Sequence, residues 1–205
     1  MEWSQAVAVL LAGIFSGFLT VTAGAAVTVV FPVLIAAGLS ADAANATSRF
    51  SLAIGGTVAA AALVWRRQVD WHAMAPLVVA AAAGTVCGSL VGAKIGSADM
   101  LTLVVATSLV SLTLVFLRPE HWLAEERTRG VLPPRYATAV FFLLCIYEGI
   151  VAVDSALLRL IALVYLLGFP INQANPIKLI TGLVMFGVSS AVYAKAGEID
   201  WGVGA

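Results

Sequence analysis

The sequence predicts an all-α, polytopic integral membrane protein, a helical bundle built from two homologous halves. Three observations predict it. Hydrophobic residues make up 61% of the chain and charged residues 11%, with a mean hydropathy of +1.03, whereas soluble domains carry about 25% charged residues. Several apolar runs reach the roughly 20 residues that cross a bilayer as a helix. They are far longer than the ~9–11 residues of a barrel strand, so the backbone must satisfy itself within helices. Finally, two polar phrases recur in order: "GLSADAAN" (38–45) returns as "GFPINQAN" (168–175), and "QVDW" (68–71) returns as "EIDW" (198–201).

Apolar segments run over about 5–38, 44–65, 73–95, 99–117, 136–168 and 174–194. The first and fifth are too long for one perpendicular crossing. At about 1.5 Å per residue such a helix would span some 50 Å against a hydrocarbon core of about 30 Å. Each is therefore tilted, broken, or folded back as a re-entrant element. The first is interrupted at "FLTVTAGAAVT" by Thr20, Thr22 and Gly24, and the fifth at "EGIVAVDSALLR". Irregular backbone at membrane depth is tolerated only beside protein or a watery cavity. If each long segment crosses once, the halves are parallel; if each dips in and returns, they are inverted.

Residues 1–117 form the first membrane repeat and 118–135, with Pro119, Pro133 and Pro134, a polar linker. Residues 136–205 form a second, incomplete repeat without a counterpart of 73–117. Arg66 and Arg67 lie two spans away from Arg118, Arg127, Arg129 and Arg135. Both groups fall on one side, which the positive-inside rule makes cytoplasmic. The acidic start "MEWSQAVAVLLAG" is not that of a cleaved signal peptide.

Formal net charge is zero without a basic tract, which offers nothing to nucleic acid. Cys87 and Cys145 are single and, like His72 and His121, stand in no metal-ligand spacing. No metal or cofactor is implied, and no nucleophile or phosphate-loop motif occurs.

The polar residues inside apolar segments are the candidate chemistry. Glu148, Asp154, Arg159 and Lys178 lie in the second half, where each charge facing lipid would cost about 2.5–3.5 kcal/mol. They must pair, face the interior, or meet water. Asp154 reads equally as the N-cap of a half-helix or, with Glu148, as a proton carrier. Arg159 reads as the partner of Asp154 or of Glu148, or as an oxyanion ligand. Arg49 follows the first phrase and Lys178 the second. They read either as snorkelling cations or as one cation per half facing an anion. Asn45 and Asn175 are matched amides that would cap helices starting near 46 and 176, with Pro176 at a first helical position. Gly84, Gly88 and Gly92, four apart, make a stripe for close helix packing. Asp70–Trp71 and Asp200–Trp201 pair a helix-capping carboxylate with an interfacial anchor.

The opening "GIFSGFLTVTAGAAVTVVFPVLIAAGLS", the "AANATS" at 43–48, the "VDW" closing the next helix and the glycine-spaced helix after it stand in fixed order over 10–117, and recur more loosely over 142–201. In these features the chain resembles the sulfite exporter TauE/SafE family of transporters, also called the toluene sulfonate uptake permeases. Two departures stand out: the Gly-rich run is thinned to Gly24, Ala25 and Ala26, and the second half is short. The resemblance implies transport, not enzymatic catalysis, of a small sulfur-containing anion such as sulfite or an organosulfonate. The setting would be a bacterial cytoplasmic membrane, with the substrate path at the two Gly-rich breaks. The residues expected to hold the substrate are Thr20, Thr22, Gly24, Asn45, Thr47, Ser48, Arg49, Arg159, Asn175 and Lys178, with Glu148 and Asp154 as proton-coupling candidates. The short second half suggests a homo-oligomer or a partner subunit that completes it. The rival readings are a non-transporting assembly subunit, a transporter of an unrelated small anion, and an intramembrane enzyme using Glu148 and Asp154.

Overall fold

The structure, a computed structural model, describes residues 3–22, 26–65, 71–117, 133–153 and 155–204. Gly24, Asp154, the first basic break and most of the 118–135 linker lie outside the described residues, as do the side chains of Thr20 and Thr22. Among the described residues there are helices and no strands.

Helices α1 (Trp3–Thr22) and α2 (Ala26–Ala36) divide the first long apolar segment. Then come α3 (Ala41–Trp65), α4 (Trp71–Gly92) and α5 (Ser97–Leu117). The fifth segment is carried by α6 (Pro134–Ile150) and α7 (Ser155–Ile161), the latter running into a π-helical turn (Ala162–Leu166). The chain closes with α8 (Ile171–Ala196) and the short α9 (Trp201–Gly204). Three of these stretches are long and apolar enough to cross a membrane among the described residues: Ala41–Trp65, Met74–Gly92 and Ile171–Ala196. Large apolar side chains such as Leu10, Ile14, Phe18, Val58 and Val79 are exposed, as a lipid-facing surface requires.

Two expected helix starts are corrected. Helix α3 begins at Ala41 and α8 at Ile171, so Asn45 and Asn175 lie inside helices and cap neither. In α3 the carbonyl of Ser40 already accepts from the N–H of Ala44 at 2.8 Å. In α8 the cap is Pro170, whose carbonyl takes the N–H groups of Gln173 and Ala174, both at 2.9 Å. Pro176 is accordingly inside the helix rather than at its first position.

The glycine stripe sits where close packing demands it. A Cβ on Gly84 would lie 2.7 Å from the carbonyl oxygen of Phe142, and one on Gly149 would lie 2.8 Å from that of Thr85. One on Gly88 would collide with the carbonyl oxygen of Ile146. Helices α4 and α6 therefore touch backbone to backbone, a contact that any side chain at these positions would hold apart.

Helices α3 and α8 pack antiparallel. Gly56, in the middle of α3, lies against Leu183 in the middle of α8. Thr47, near the start of α3, accepts a 3.0 Å hydrogen bond from the N–H of Asp200, just past the end of α8. Gly197 ends α8 in the left-handed conformation (φ 77°), its N–H donating to Ala194 and that of Glu198 to Tyr193. Asp200 then caps α9, its Oδ1 accepting from the N–H groups of Gly202 at 2.9 Å and Val203 at 3.2 Å. Trp201 meets Phe50 of α3 edge-on, with ring centroids 5.0 Å apart. One core joins Val27, Phe31 and Leu34 of α2 with Leu52, Met100 and Val151–Val153. A second joins Met74, Leu77 and Ala81 of α4 with Phe141, Cys145, Leu163 and Ile177.

Candidate functional site

Helix α6 ends at Ile150 because Val151 turns extended (φ −117°, ψ 125°), and α7 does not begin until Ser155. Residues Val151, Ala152 and Val153 are buried, so the groups freed there need partners inside the protein. Asn45 supplies them from α3. Its Nδ2 donates to the carbonyl of Ile150 at 3.0 Å, and its Oδ1 accepts from the N–H of Ala152 at 3.0 Å. Tyr193 of α8 places its hydroxyl 3.2 Å from the carbonyls of both Gly149 and Ile150. The amide of Asn45 and the phenol of Tyr193 thus pin the break from two sides.

One helical turn beyond Asn45, Arg49 lies with its Cζ 5.0 Å from the centre of the Tyr193 ring, an arrangement for cation–π attraction. Arg49 is 1% exposed. Its Nε and Nη2 have no hydrogen-bond partner among the described residues.

Past the break, Arg159 of α7 reaches back to Glu148 of α6. Its Nε donates to Oε2 at 3.0 Å, and its Nη2 lies 2.8 Å from the same oxygen, a Coulombic contact not aligned as a hydrogen bond. Its Nη1 donates to the carbonyl of Lys178 at 2.9 Å. Gly182, one turn after Lys178, leaves room for this, since a Cβ there would lie 2.7 Å from Nη1. Lys178 is as buried as Arg49, and its Nζ has no hydrogen-bond partner among the described residues. Arg159 and Lys178 line a small cleft of about 20 Å³ whose other walls include Leu52 and Gly56 of α3 and Gly182 and Phe186 of α8. Its lining is apolar apart from the two cations.

The remaining sequence candidates are dispersed. Thr47 holds the Asp200 turn, and Ser48 donates to the carbonyl of Asn45 at 3.0 Å. Asn175 is half-buried in the second turn of α8. Arg159, Lys178 and Glu148 come together, whereas Arg49 lies on Tyr193, within Coulombic reach of Glu148. Sequence reasoning missed Tyr193 and Gly182. A small residue one turn after a buried lysine is a visible signal for Gly182. Nothing in the sequence marks the Tyr193 hydroxyl.

Outside the spans, Glu198 faces Asp42 where α8 ends beside the start of α3. Partial burial, and secondarily the Asp42 carboxylate, push Glu198 up to about 7. One oxygen of each carboxylate, Asp42 Oδ1 and Glu198 Oε2, is buried without a hydrogen-bond partner among the described residues.

Buried cations at a helix break, inside a bundle with an apolar exterior, are a constellation for moving or holding an anion within a bilayer. Neither a curated protein nor a solved structure matches the chain. The family model described as Sulfite exporter TauE/SafE matches residues 9–205. The chain therefore belongs to the sulfite exporter TauE/SafE family, and is an integral membrane protein of the sulfite-exporter transporter type.

Proposed function

We propose that the protein carries a small sulfur-containing oxyanion, such as sulfite or an organosulfonate, across a bacterial cytoplasmic membrane as a secondary transporter or permease. The substrate binds at the cleft between α3, α7 and α8, which widens to admit it. Lys178 supplies the charge facing it, Arg159 shapes the wall, and Arg49 offers a further cation beyond the break. One observation carries this reading. Three basic side chains, Arg49, Arg159 and Lys178, are each 1% exposed, while Arg159 alone makes an ion pair with a carboxylate among the described residues. A cation buried without a partner is costly, and an arriving anion removes that cost.

The antiparallel course of α3 and α8, whose opening phrases repeat, supports two inverted halves. On this reading α1–α2 and α6–α7 are re-entrant pairs, each dipping in and returning to the side from which it entered. The substrate then passes between the repeat-related breaks, as transporters built from inverted repeats allow. Glu148, whose Oε1 has no hydrogen-bond partner among the described residues, and Asp154 are the candidates for coupling to protons.

The test is flux of radiolabelled sulfite and methanesulfonate into proteoliposomes, with and without a pH gradient. Lys178→Ala is expected to raise the KM roughly tenfold, the loss of one charge-assisted interaction. Wild-type protein that carries neither anion would refute the reading.

A further inference from the structure

We infer that the protein holds not one anion station but two: the Arg159–Lys178 cleft, and a second at the free edge of Arg49 above Tyr193, with the Glu148–Arg159 ion pair between them. This rests on the anion-transport reading and goes beyond it.

The separation follows from α8. Lys178 and Tyr193 are fifteen residues apart on one helix, which places their Cα atoms about 22 Å apart along its axis. Arg49 stacks on Tyr193, near the end of α8, and Lys178 lies near the start. An anion with two or three oxygens on one sulfur is a few ångströms wide and touches one cation or the other. Arg49 does not line the cleft that Arg159 and Lys178 share.

The geometry of Arg49 is that of a receptor rather than a brace. Its partnerless nitrogens, Nε and Nη2, form the same edge of the guanidinium, the edge whose two N–H groups run parallel and match two oxygens of an oxyanion. In Arg159 that edge is occupied, with Nε and Nη2 both turned on Glu148 Oε2. Among the described residues, two buried arginines thus show the edge once filled by a carboxylate and once free. The ring beneath Arg49 is itself immobilised, because the Tyr193 hydroxyl is tied to the carbonyls of Gly149 and Ile150. Asn45, one turn earlier, fixes the same break. The free edge is therefore held in place beside the break. With Arg49 this deeply buried, its ligand is a solute that enters the protein, not a lipid head group at the surface.

Because α3 and α8 run antiparallel, Arg49 lies toward one membrane face and Lys178 toward the other. Each station serves one mouth, and an anion passing through meets the Glu148–Arg159 pair on the way. The ligand class at Arg49 is a small oxyanion able to present two oxygens to one guanidinium edge.

The experiment measures the KM for radiolabelled methanesulfonate from each side of vesicles holding the protein in one orientation, as influx and as efflux. In Arg49→Gln the ratio of the two KM values is expected to move roughly tenfold one way, and in Lys178→Gln roughly tenfold the other, each the loss of one charged contact. Arg49→Lys, which keeps the charge but not the fork, is expected to shift the ratio in the same sense as Arg49→Gln and by less. It serves in place of Arg49→Gln if that variant does not fold. A ratio that stays fixed in both lines of variants while flux falls would mean a single shared site and overturn the second station alone. Unaltered KM on both sides in the Arg49 variants would make Arg49 a brace and overturn it equally. No flux through wild-type protein would remove the anion-transport reading, and the second station with it.

Discussion

Replacing Gly182 with alanine tests whether Arg159 is a fixed part of the cleft wall. The new Cβ would lie 2.7 Å from Arg159 Nη1, closer than such contacts allow, with Cζ and Nη2 at 3.7 and 3.8 Å. The guanidinium has little room to retreat, since its Nε is bonded to Glu148 at 3.0 Å. Nη1 must then release the carbonyl of Lys178, now accepted at 2.9 Å. That carbonyl lies inside α8 and keeps its acceptor role in the helix ladder, so the loss is one hydrogen bond and not an orphaned acceptor as well. A hydrogen bond from a charged group is worth about 1.5–3 kcal/mol. Alanine returns about 1 kcal/mol through better helix propensity, leaving a net cost of about 0.5–2 kcal/mol. Gly187, on the same helix, is exposed, and a Cβ there meets nothing within 4 Å. Gly187→Ala should therefore gain about 1 kcal/mol, so the two variants should differ by about 1.5–3 kcal/mol. Thermal unfolding of purified protein in detergent should rank Gly187→Ala above wild type and wild type above Gly182→Ala. A Gly182→Ala protein as stable as Gly187→Ala, with unaltered methanesulfonate flux, would show that Arg159 moves freely and would refute the reasoning.

Asn45→Leu removes both hydrogen bonds to the break and leaves the buried N–H of Ala152 without an acceptor. The expected loss is about 2–4 kcal/mol, read as a lower unfolding temperature and faster hydrogen exchange over 150–153. Glu198 gives a pH dependence of definite sign. Its folded-state value, raised to about 7, means that the folded protein holds this proton more tightly than the unfolded chain. Its contribution is complete below the ordinary glutamate range and is lost as pH rises through about 7. The groups facing it are Asp42 of α3 and Tyr193 of α8. Glu198→Gln should therefore match wild-type stability at pH 4 and exceed it at pH 8. Equal pH profiles for the two proteins would show that Glu198 is not held in this environment.

The sequence carried the helical class because polar residues are so scarce that their positions mark the ends of elements. It carried the glycine stripe for the same reason, since three glycines spaced by four in an apolar run have little use but close packing, and α6 lies on them. The helix starts at Ala41 and Ile171 were less legible. Asn45 and Asn175 look like caps because amides favour that position, but tertiary structure spends the Asn45 amide on another helix's break. No local pattern announces a partner more than a hundred residues away. Among the buried charges, the need to pair or turn inward was legible from cost alone. Which cation meets Glu148 was not: the spacing of Glu148 and Arg159 becomes a contact only because the helix breaks between them.

The repeated phrases of the sequence are not accompanied by a repeat of all its charges. Arg49 and Lys178 fall one residue out of register between the two phrases, so each half brings one cation to nearly the same place in its helix. Shifting Glu148 and Arg159 back by the same interval gives Phe18 and Val29. The ion pair therefore has no counterpart at the matching positions, and being neutral overall it adds almost nothing to the charge an approaching anion would meet. In the proposed transport path Arg49 and Lys178 set that charge. What the ion pair adds is position: it ties α6 to α7 across the break, and through Arg159 Nη1 it ties both to α8 at Lys178. A bundle that rearranged around this break would keep its cations and change the distance between them. That is the property a carrier of anions needs, and a passive brace does not.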